Sequence, residues 1–390
     1  MERIGIYGGS FNPPHMGHIR AALWAVDVLG LSKMLVLPCN ISPGKPKPND
    51  PVENEQRLDM LRLAIQDKPK LEICPLELER GGVSYTCDTI LQLRSQYPDA
   101  ELVLCMGSDS FIHFKNWKDT DTIIANASLA VFYRGKRSDD LTLVKEAWEK
   151  RGARVYILEN PVTQISSTQL RRLLAFRCAD TFLESAVAEY IQVRGLYGTA
   201  KNHRHLPMDR LEQMVISLLK PNRVNHVLGC RDTAVKLAER WGADVTDAAR
   251  AGILHDITKA LDGPLQLTLC SDYDIVLDEF SSQNPKTLHA LTGSLVAQRI
   301  FGENEAVVNA IRWHTTGKAN MSLLQKIIYV ADYMEPNRNF EGVDQMRRLA
   351  FTDIDGALRM GLQMTLEVLR EQGREISPES SQALAFLNNK

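Results

Sequence analysis

The residues best able to do chemistry fall in two groups. Residues 8–18 read GGSFNPPHMGH. Gly8 and Gly9 let the backbone turn tightly and approach a ligand with no side chain in the way. Ser10 and Phe11 follow in a loop that two prolines stiffen. His15 and His18 are three apart, with Gly17 between them, where a helix begins. That spacing puts two imidazoles on one side of a helix N-terminus, whose free N–H groups already favour an anion. Such a pair donates hydrogen bonds to a phosphate without a permanent charge on each ring. Residues 165–171, ISSTQLR, make a second helix start: Ser166, Ser167 and Thr168 are N-cap candidates, and Arg171 adds a guanidinium suited to a polyphosphate tail. A glycine turn with two surface histidines, or an ordinary cap, would account for either motif alone. The two together, one directly after a strand, argue for phosphate chemistry.

The second group is His226, His255, Asp256, His289, His314 and Asp332. Imidazole and carboxylate together suit manganese, iron or zinc rather than calcium. The residues lie on separate predicted helices, which a bundle could converge on one core site. His255-Asp256 ends the apolar run AGIL, and Asp332 interrupts IIYVADYM. A carboxylate in such a helix is costly unless paired or metal-bound. A bridging carboxylate, Asp256 in this reading, would let two metals sit close enough to activate a water and stabilise a leaving phosphate oxygen.

The elements that must carry these groups differ between the halves. Residues 1–197 alternate. Strand candidates are Arg3–Tyr7, Met34–Pro38, Glu101–Met106, Ala130–Tyr133 and Val155–Leu158. Helix candidates are Met16–Leu29, Glu53–Ile65, Thr86–Tyr97 and Val144–Lys150. Alternation of this kind implies a parallel sheet with helices on both faces, and ligands beyond the carboxyl ends of its strands. Residues 198–206, GTAKNHRHL, are polar and basic and read as a linker. From Met208 the pattern is helical throughout: Leu211–Leu219, Val224–Trp241, Thr246–Ala260, Thr287–Phe301, Glu305–His314 and Leu323–Met334. The predicted architecture is an α/β domain, 1–197, followed by an all-α domain, 207–390.

The chain's 390 residues exceed one ordinary core, at ~150 residues per domain. The net charge of −2 supplies no global basic field for nucleic acid or an anionic membrane, so any phosphate must be held by local groups. Seven cysteines lie scattered with no CxxC pair, the usage of a reducing cytosol. Residues 1–10 run straight into a strand and glycine turn without a basic-then-apolar leader, and no stretch of ~18 apolar residues suggests a membrane span. A cytoplasmic enzyme is expected, and an oligomer is left open.

In this order and separation, GGSFNPPHMGH and ISSTQLR resemble the nucleotidyltransferase superfamily with a HxGH signature. Across 1–197 the chain resembles bacterial nicotinate-nucleotide adenylyltransferases, which share the segments SYTCDT (84–89), MGSD (106–109) and NWKD (116–119). The resemblance implies a Rossmann-like fold and transfer of an adenylyl group from ATP to nicotinate mononucleotide. It implies that the ring stacks near Trp117, that backbone N–H groups at Tyr85-Thr86 read the carboxylate, and that Asp109, after Gly107, lies near the ribose. Asn12 stands where that family often has aspartate, and PGK (43–45) replaces the frequent PHK, leaving Lys45. The charge-handling set is then His15, His18, Lys45 and Arg171, with Mg²⁺ arriving on ATP.

Over about 207–375, AGILHDITK (251–259), NAIRWHTTGKANMS (309–322) and KIIYVADYMEPNR (326–338) resemble HD-superfamily phosphohydrolases of the symmetrical diadenosine tetraphosphate hydrolase type. By that resemblance His226, His255, Asp256 and Asp332 form the common HD metal set. His289 and His314 complete a second metal, for which iron is implied, and Lys259 faces phosphate. The implied reaction splits diadenosine tetraphosphate into two ADP. The alternatives are another acceptor for the first half, such as phosphopantetheine or flavin mononucleotide, and for the second half another nucleotide or a regulatory nucleotide-binding role. HxGH also occurs in class I aminoacyl-tRNA synthetases, but the basic surface such a partner needs is missing.

Overall fold

The computed structural model describes residues 2–43, 52–133, 138–159 and 165–389. The chain divides into two compact units, Met1–Ala200 and Lys201–Lys390.

In the first unit six parallel strands, β1 (Arg3–Gly9), β2 (Lys33–Pro38), β3 (Leu71–Ile73), β4 (Glu101–Gly107), β5 (Ser128–Phe132) and β6 (Val155–Leu158), lie in the order β3-β2-β1-β4-β5-β6. This is the predicted Rossmann-like sheet. β4 and β5 are almost wholly buried and β1 is buried from Ile4 to Tyr7, as apolar strands covered on both faces must be. The strand order reverses between β1 and β4, and in such sheets that switch point opens a crevice at the carboxyl ends. β1 ends there in Gly8-Gly9 and β4 in Gly107. β3 escaped the sequence reading because three residues give too little alternation. Its place comes from pairing, with Met34 opposite Leu71. β5 begins at Ser128 rather than Ala130, since its neighbours in the sheet extend the pairing.

In the second unit all regular elements among the described residues are helices, as predicted. Helix Val224–Trp241 packs on both Val245–Leu254 and Leu323–Met334. One glycine sets the first of these contacts: a Cβ on Gly252 would lie 2.7 Å from the Arg231 Cα. The polar stretch before the first helix is held down at its end. His203 is buried, the His205 N–H donates to the Phe301 carbonyl at 2.7 Å, and Arg250 donates to the Leu206 carbonyl at 2.9 Å.

The predicted helix Thr246–Ala260 stops at Leu254. Beyond it Ile257, Lys259 and Leu261 each bond to the carbonyl three residues back, so tight turns replace the helix. The Thr258 hydroxyl donates to the His289 carbonyl at 3.0 Å and fixes the turn. Consecutive helical side chains diverge by about 100°, whereas the turn lets His255 and Asp256 face one centre. Helix Leu288–Val296 passes into a π turn, Ala297–Phe301. Helices Gly263–Asp272, Glu279–Gln283, Val343–Ala350, Ile354–Glu371 and Pro378–Asn388 stand beside the predicted ones. No helix among the described residues is long and apolar enough to cross a membrane.

Because the Gly252 approach is to backbone, Gly252→Ala cannot be relieved by a rotamer change. It should destabilise the helical unit by about 1–3 kcal/mol. Separate melting transitions for the two units, with only the helical one shifted, would check this.

Candidate active sites

In the first unit the glycine loop leads into helix Met16–Val28, with His15 at its N-cap. His15 is buried, and the His15 and His18 rings stack with centroids 3.6 Å apart. The His15 backbone N–H donates to His18 Nδ1 at 3.3 Å. That contact fixes the tautomer: Nδ1 accepts, so the neutral ring carries its proton on Nε2. Phe11 is buried and turns an edge to His18, centroids 5.0 Å apart. Gly8 faces open space where a Cβ would stand.

The second motif meets the first, although more than 150 residues separate them in sequence. Helix Ser167–Ala175 is capped by Ser166, which accepts from the Gln169 N–H while Gln169 reaches back to the Ser166 N–H. The Ser167 hydroxyl donates to the Pro13 carbonyl at 3.1 Å. Arg171 donates to the Asn12 carbonyl at 2.6 Å and to the Thr168 hydroxyl at 3.1 Å. Burial pushes the Arg171 pKa down, with the guanidinium still far above neutral pH.

Two residues that sequence reasoning missed hold this loop. Arg57, buried on helix Asn54–Ile65, donates to the carbonyls of Ser10 (2.8 Å) and Cys39 (2.7 Å), tying the loops after β1 and β2 together. The Tyr197 hydroxyl donates to Asn12 Oδ1 at 2.5 Å. A buried arginine in a helix has no periodic signature, and only its partners give it meaning.

Tyr85 caps helix Thr86–Gln96, so the first N–H groups there lack intrahelical partners. Trp117 is half-buried with Phe114 edge-on at 5.3 Å, and the Lys118 ammonium lies 4.5 Å from the Tyr85 ring centroid. Asp109 stands in the first turn of Ser108–Ile112, which Gly107 caps. Lys45 lies outside the described residues.

In the second unit the six predicted residues converge. His226 opens helix Val224–Trp241, His255 and Asp256 follow helix Val245–Leu254, His289 lies in Leu288–Val296, His314 ends Glu305–Trp313, and Asp332 lies in Leu323–Met334. Asp256 Oδ2 lies 3.8 Å from His226 Nε2 and 3.5 Å from His255 Nε2. Its other oxygen, Oδ1, lies 3.4 Å from His289 Nε2 and 3.8 Å from His314 Nε2. Asp332 Oδ1 lies 3.1 Å from His226 Nε2. Two sets, His226/His255/Asp332 and His255/Asp256/His314, each gather their ligand atoms within 4.8 Å. One carboxylate thus faces two pairs of imidazoles.

Three rings are oriented alike. His255, His289 and His314 hold Nδ1 on the carbonyls of Gly252 (2.8 Å), Lys286 (3.0 Å) and Ile311 (2.7 Å), leaving Nε2 to the centre. Burial, with the Lys259 ammonium beside it, pushes His289 down to about 3, so it is neutral at pH 7. Burial would raise Asp256, but the surrounding imidazoles hold it well below the usual range, and contact with His226 does the same for Asp332. Buried Asp256 Oδ1 accepts no hydrogen bond among the described residues. Imidazoles that turn Nε2 inward, ionised carboxylates and an unsatisfied buried oxygen are the donor set a divalent metal pair needs.

Cations surround this centre. Arg223 donates to Asp256 Oδ2 at 2.6 Å, Arg338 to Asp332 Oδ1 at 2.6 Å, and Lys259 Nζ lies 2.9 Å from His289 Nε2. The Thr315 hydroxyl lies 3.2 Å from both His289 Nε2 and His314 Nε2. Arg223, Thr315, Glu335 and Arg338 were not anticipated. The available signal was the spacing of Asp332 and Glu335, three apart at the end of an apolar helix.

Fold and sites define the class: a nucleotidyltransferase-type α/β unit joined to a helical unit of the HD type. Comparison with known proteins agrees. Residues 6–173 match the cytidylyltransferase-like family and residues 223–337 the HD domain. A protein of Lachnoclostridium phytofermentans named "Probable nicotinate-nucleotide adenylyltransferase" is 34% identical over 50% of this chain and 100% of its own length. The symmetrical bis(5'-nucleosyl)-tetraphosphatase of Bacillus subtilis is 38% identical over 42% of this chain and 87% of its own. A solved Clostridium acetobutylicum structure, described as a predicted HD superfamily hydrolase involved in NAD metabolism, is 37% identical, with a TM-score of 0.46 over 47% of this chain and 98% of that one. The chain belongs to the nicotinate-nucleotide adenylyltransferase family through its first unit and to the symmetrical bis(5'-nucleosyl)-tetraphosphatase family through its second. It is a fusion of two enzymes.

Lysine cannot reach two carbonyls as the planar Arg57 fork does. Arg57→Lys should therefore loosen the glycine loop and slow nucleotidyl transfer ~10²-fold, the scale of a misplaced reacting group. Steady-state kinetics beside metal analysis of the helical unit, which should not change, would check it.

Proposed function

We propose that the first unit transfers the adenylyl group of ATP to nicotinate mononucleotide, giving deamido-NAD and pyrophosphate. The acceptor phosphate oxygen bonds to the α-phosphorus of ATP as the α–β bridging bond breaks, with no covalent enzyme intermediate. The work of the site is positioning and charge neutralisation. The observation that carries this reading is the His15–His18 contact, which sets the His18 tautomer with its proton on Nε2 at a helix N-terminus. Arg171, Lys45 and the Ser166–Thr168 helix start complete the polyphosphate cradle, and Mg²⁺ arrives with ATP. Gly8, Gly9, Ser10 and Phe11 form the loop the nucleotide approaches, and Gly107 and Asp109 take the ribose side. Trp117 stacks on the pyridine ring. The N–H groups at Tyr85 and Thr86, which have no partner within their own helix, favour a carboxylate over an amide.

His18→Ala should cut transfer ~10²-fold, the cost of a lost transition-state donor. Nicotinamide mononucleotide should be the poorer acceptor by kcat/KM. Equal use of the amide would end the specificity claim.

For the second unit we propose symmetrical hydrolysis of diadenosine tetraphosphate. Water oxygen joins one of the two central phosphorus atoms as that atom's bond to the oxygen bridging the two breaks. The bridging oxygen leaves with the second ADP, the water gives up a proton, and the products are two ADP. Two transition-metal ions, iron or manganese, would be held by His226, His255 and Asp332 and by His289 and His314, with Asp256 between them. Bound there, they supply a polarised water and shield the phosphate charge. Asp256 holds the two imidazole pairs to one axis, and Lys259, with Arg223 and Arg338, places positive charge where a polyphosphate must lie. The carrying observation is the division of Asp256's oxygens between the two imidazole pairs.

Asp256→Ala should remove both metals, His314→Ala one, and both should lose most hydrolysis. Elemental analysis beside product chromatography checks this. ATP plus AMP as products would refute symmetrical cleavage, and a metal-free domain that only binds nucleotide would favour the regulatory role.

A further inference from the structure

The fourth imidazole of the centre is held by a different kind of partner from the other three. His226 Nδ1 faces a carboxylate, Glu335 Oε1, at 3.0 Å. Glu335 is 1% exposed. We infer that Glu335 is a positioning residue of the metal centre, turning His226 Nε2 toward Asp332 and His255 and strengthening it as a ligand. The inference rests on the two-metal reading above.

The surrounding chain is built to accept this carboxylate. Glu335 Oε2 accepts the backbone N–H of Asn337 at 2.7 Å and its side-chain Nδ2–H at 2.8 Å. Asn337 in turn donates to the Asn225 carbonyl at 3.1 Å, next to His226. Arg347 donates to the carbonyls of Met334, Glu335 and Arg338 at 3.0, 3.1 and 2.9 Å, fixing the turn that carries the carboxylate. One turn beyond His226 stands Gly229, where a Cβ would lie 2.4 Å from Glu335 Oε2 and 3.2 Å from Asn337 Nδ2. The glycine opens the helix face to the carboxylate.

The chemistry of the acceptor matters. A backbone carbonyl orients an imidazole. A carboxylate orients it and also makes it more basic, while placing a negative charge near the cation. Of the four imidazoles only His226 has this arrangement among the described residues, so its effect falls on the His226/His255/Asp332 set.

The test is Mn(II) titration of the chelator-treated full chain, with ion number from elemental analysis and affinity from the Mn(II) resonance signal. The native chain should bind two ions. Glu335→Gln keeps an acceptor oxygen but removes the charge. It should weaken one ion ~10- to 100-fold, the usual cost of an outer partner, and leave the other unchanged. Gly229→Ala should act likewise by displacing the carboxylate, and Asn337→Ala more mildly. Adenylyl transfer should stay constant in all of them, which separates this effect from loss of the chain. Two ions of native affinity in Glu335→Gln would overturn the role of Glu335 alone. A native chain that binds no Mn(II) would overturn the two-metal reading and this inference with it.

Discussion

The second unit depends on a negative charge that the fold keeps away from water. The Asp256 side chain is 1% exposed and stays ionised. A buried charge without partners costs several kcal/mol, and removing one partner of a buried pair costs about 3–5 kcal/mol. Whole domains are stable by only about 5–15 kcal/mol. The bundle must therefore compensate this carboxylate. It does so from three helices at once, with His226 and its helix's N-cap Arg223, with His289 and with His314, while His255 comes from the same turn as Asp256 itself. Packing at Gly252, the turns after Leu254 and the Thr258–His289 bond all serve that convergence. An apolar core of equal volume would be as stable or more so. The charge is thus explained by chemistry rather than by stability.

The first unit meets a related demand by other means. Its ligand anions come from outside, so the fold supplies partial positive charge that needs no resident counter-charge. Helix starts at His15, Tyr85, Gly107 and Ser166 stand near the carboxyl ends of the strands. Such dipoles act only over the first turn, so loop geometry must be exact to a fraction of an ångström. That explains why a buried guanidinium and a tyrosine hydroxyl bind backbone and Asn12 rather than substrate.

Much of this was legible in the sequence. Strand-helix alternation marked the sheet, because parallel strands buried on both faces read as apolar runs. The six metal-type residues were legible because polar residues in apolar helices need a reason. The residues that escaped are those whose role exists only through space. Arg57 looks like any helical arginine until the carbonyls of Ser10 and Cys39 meet it. Glu335 looks like a solvated charge at a helix end until Gly229 is seen to make room for it. The stop at Leu254 was missed because 246–260 keeps helical periodicity, and only the bonds of Thr258 and its neighbours show that turns win there.

The cations of the helical unit show how one residue can answer two demands. Arg223 and Arg338 each donate to a carboxylate of the centre, Asp256 and Asp332, while part of each side chain stays open to water. Arginine keeps its charge at any physiological pH and offers five donors, so a guanidinium engaged by one carboxylate retains N–H groups for another anion. Lys259 differs: burial lowers its pKa, and its ammonium rests on His289. A lysine is a point charge on a flexible stem, able to leave that imidazole for a phosphate. The arginines hold the carboxylates in register, and the lysine is the cation free to follow a ligand.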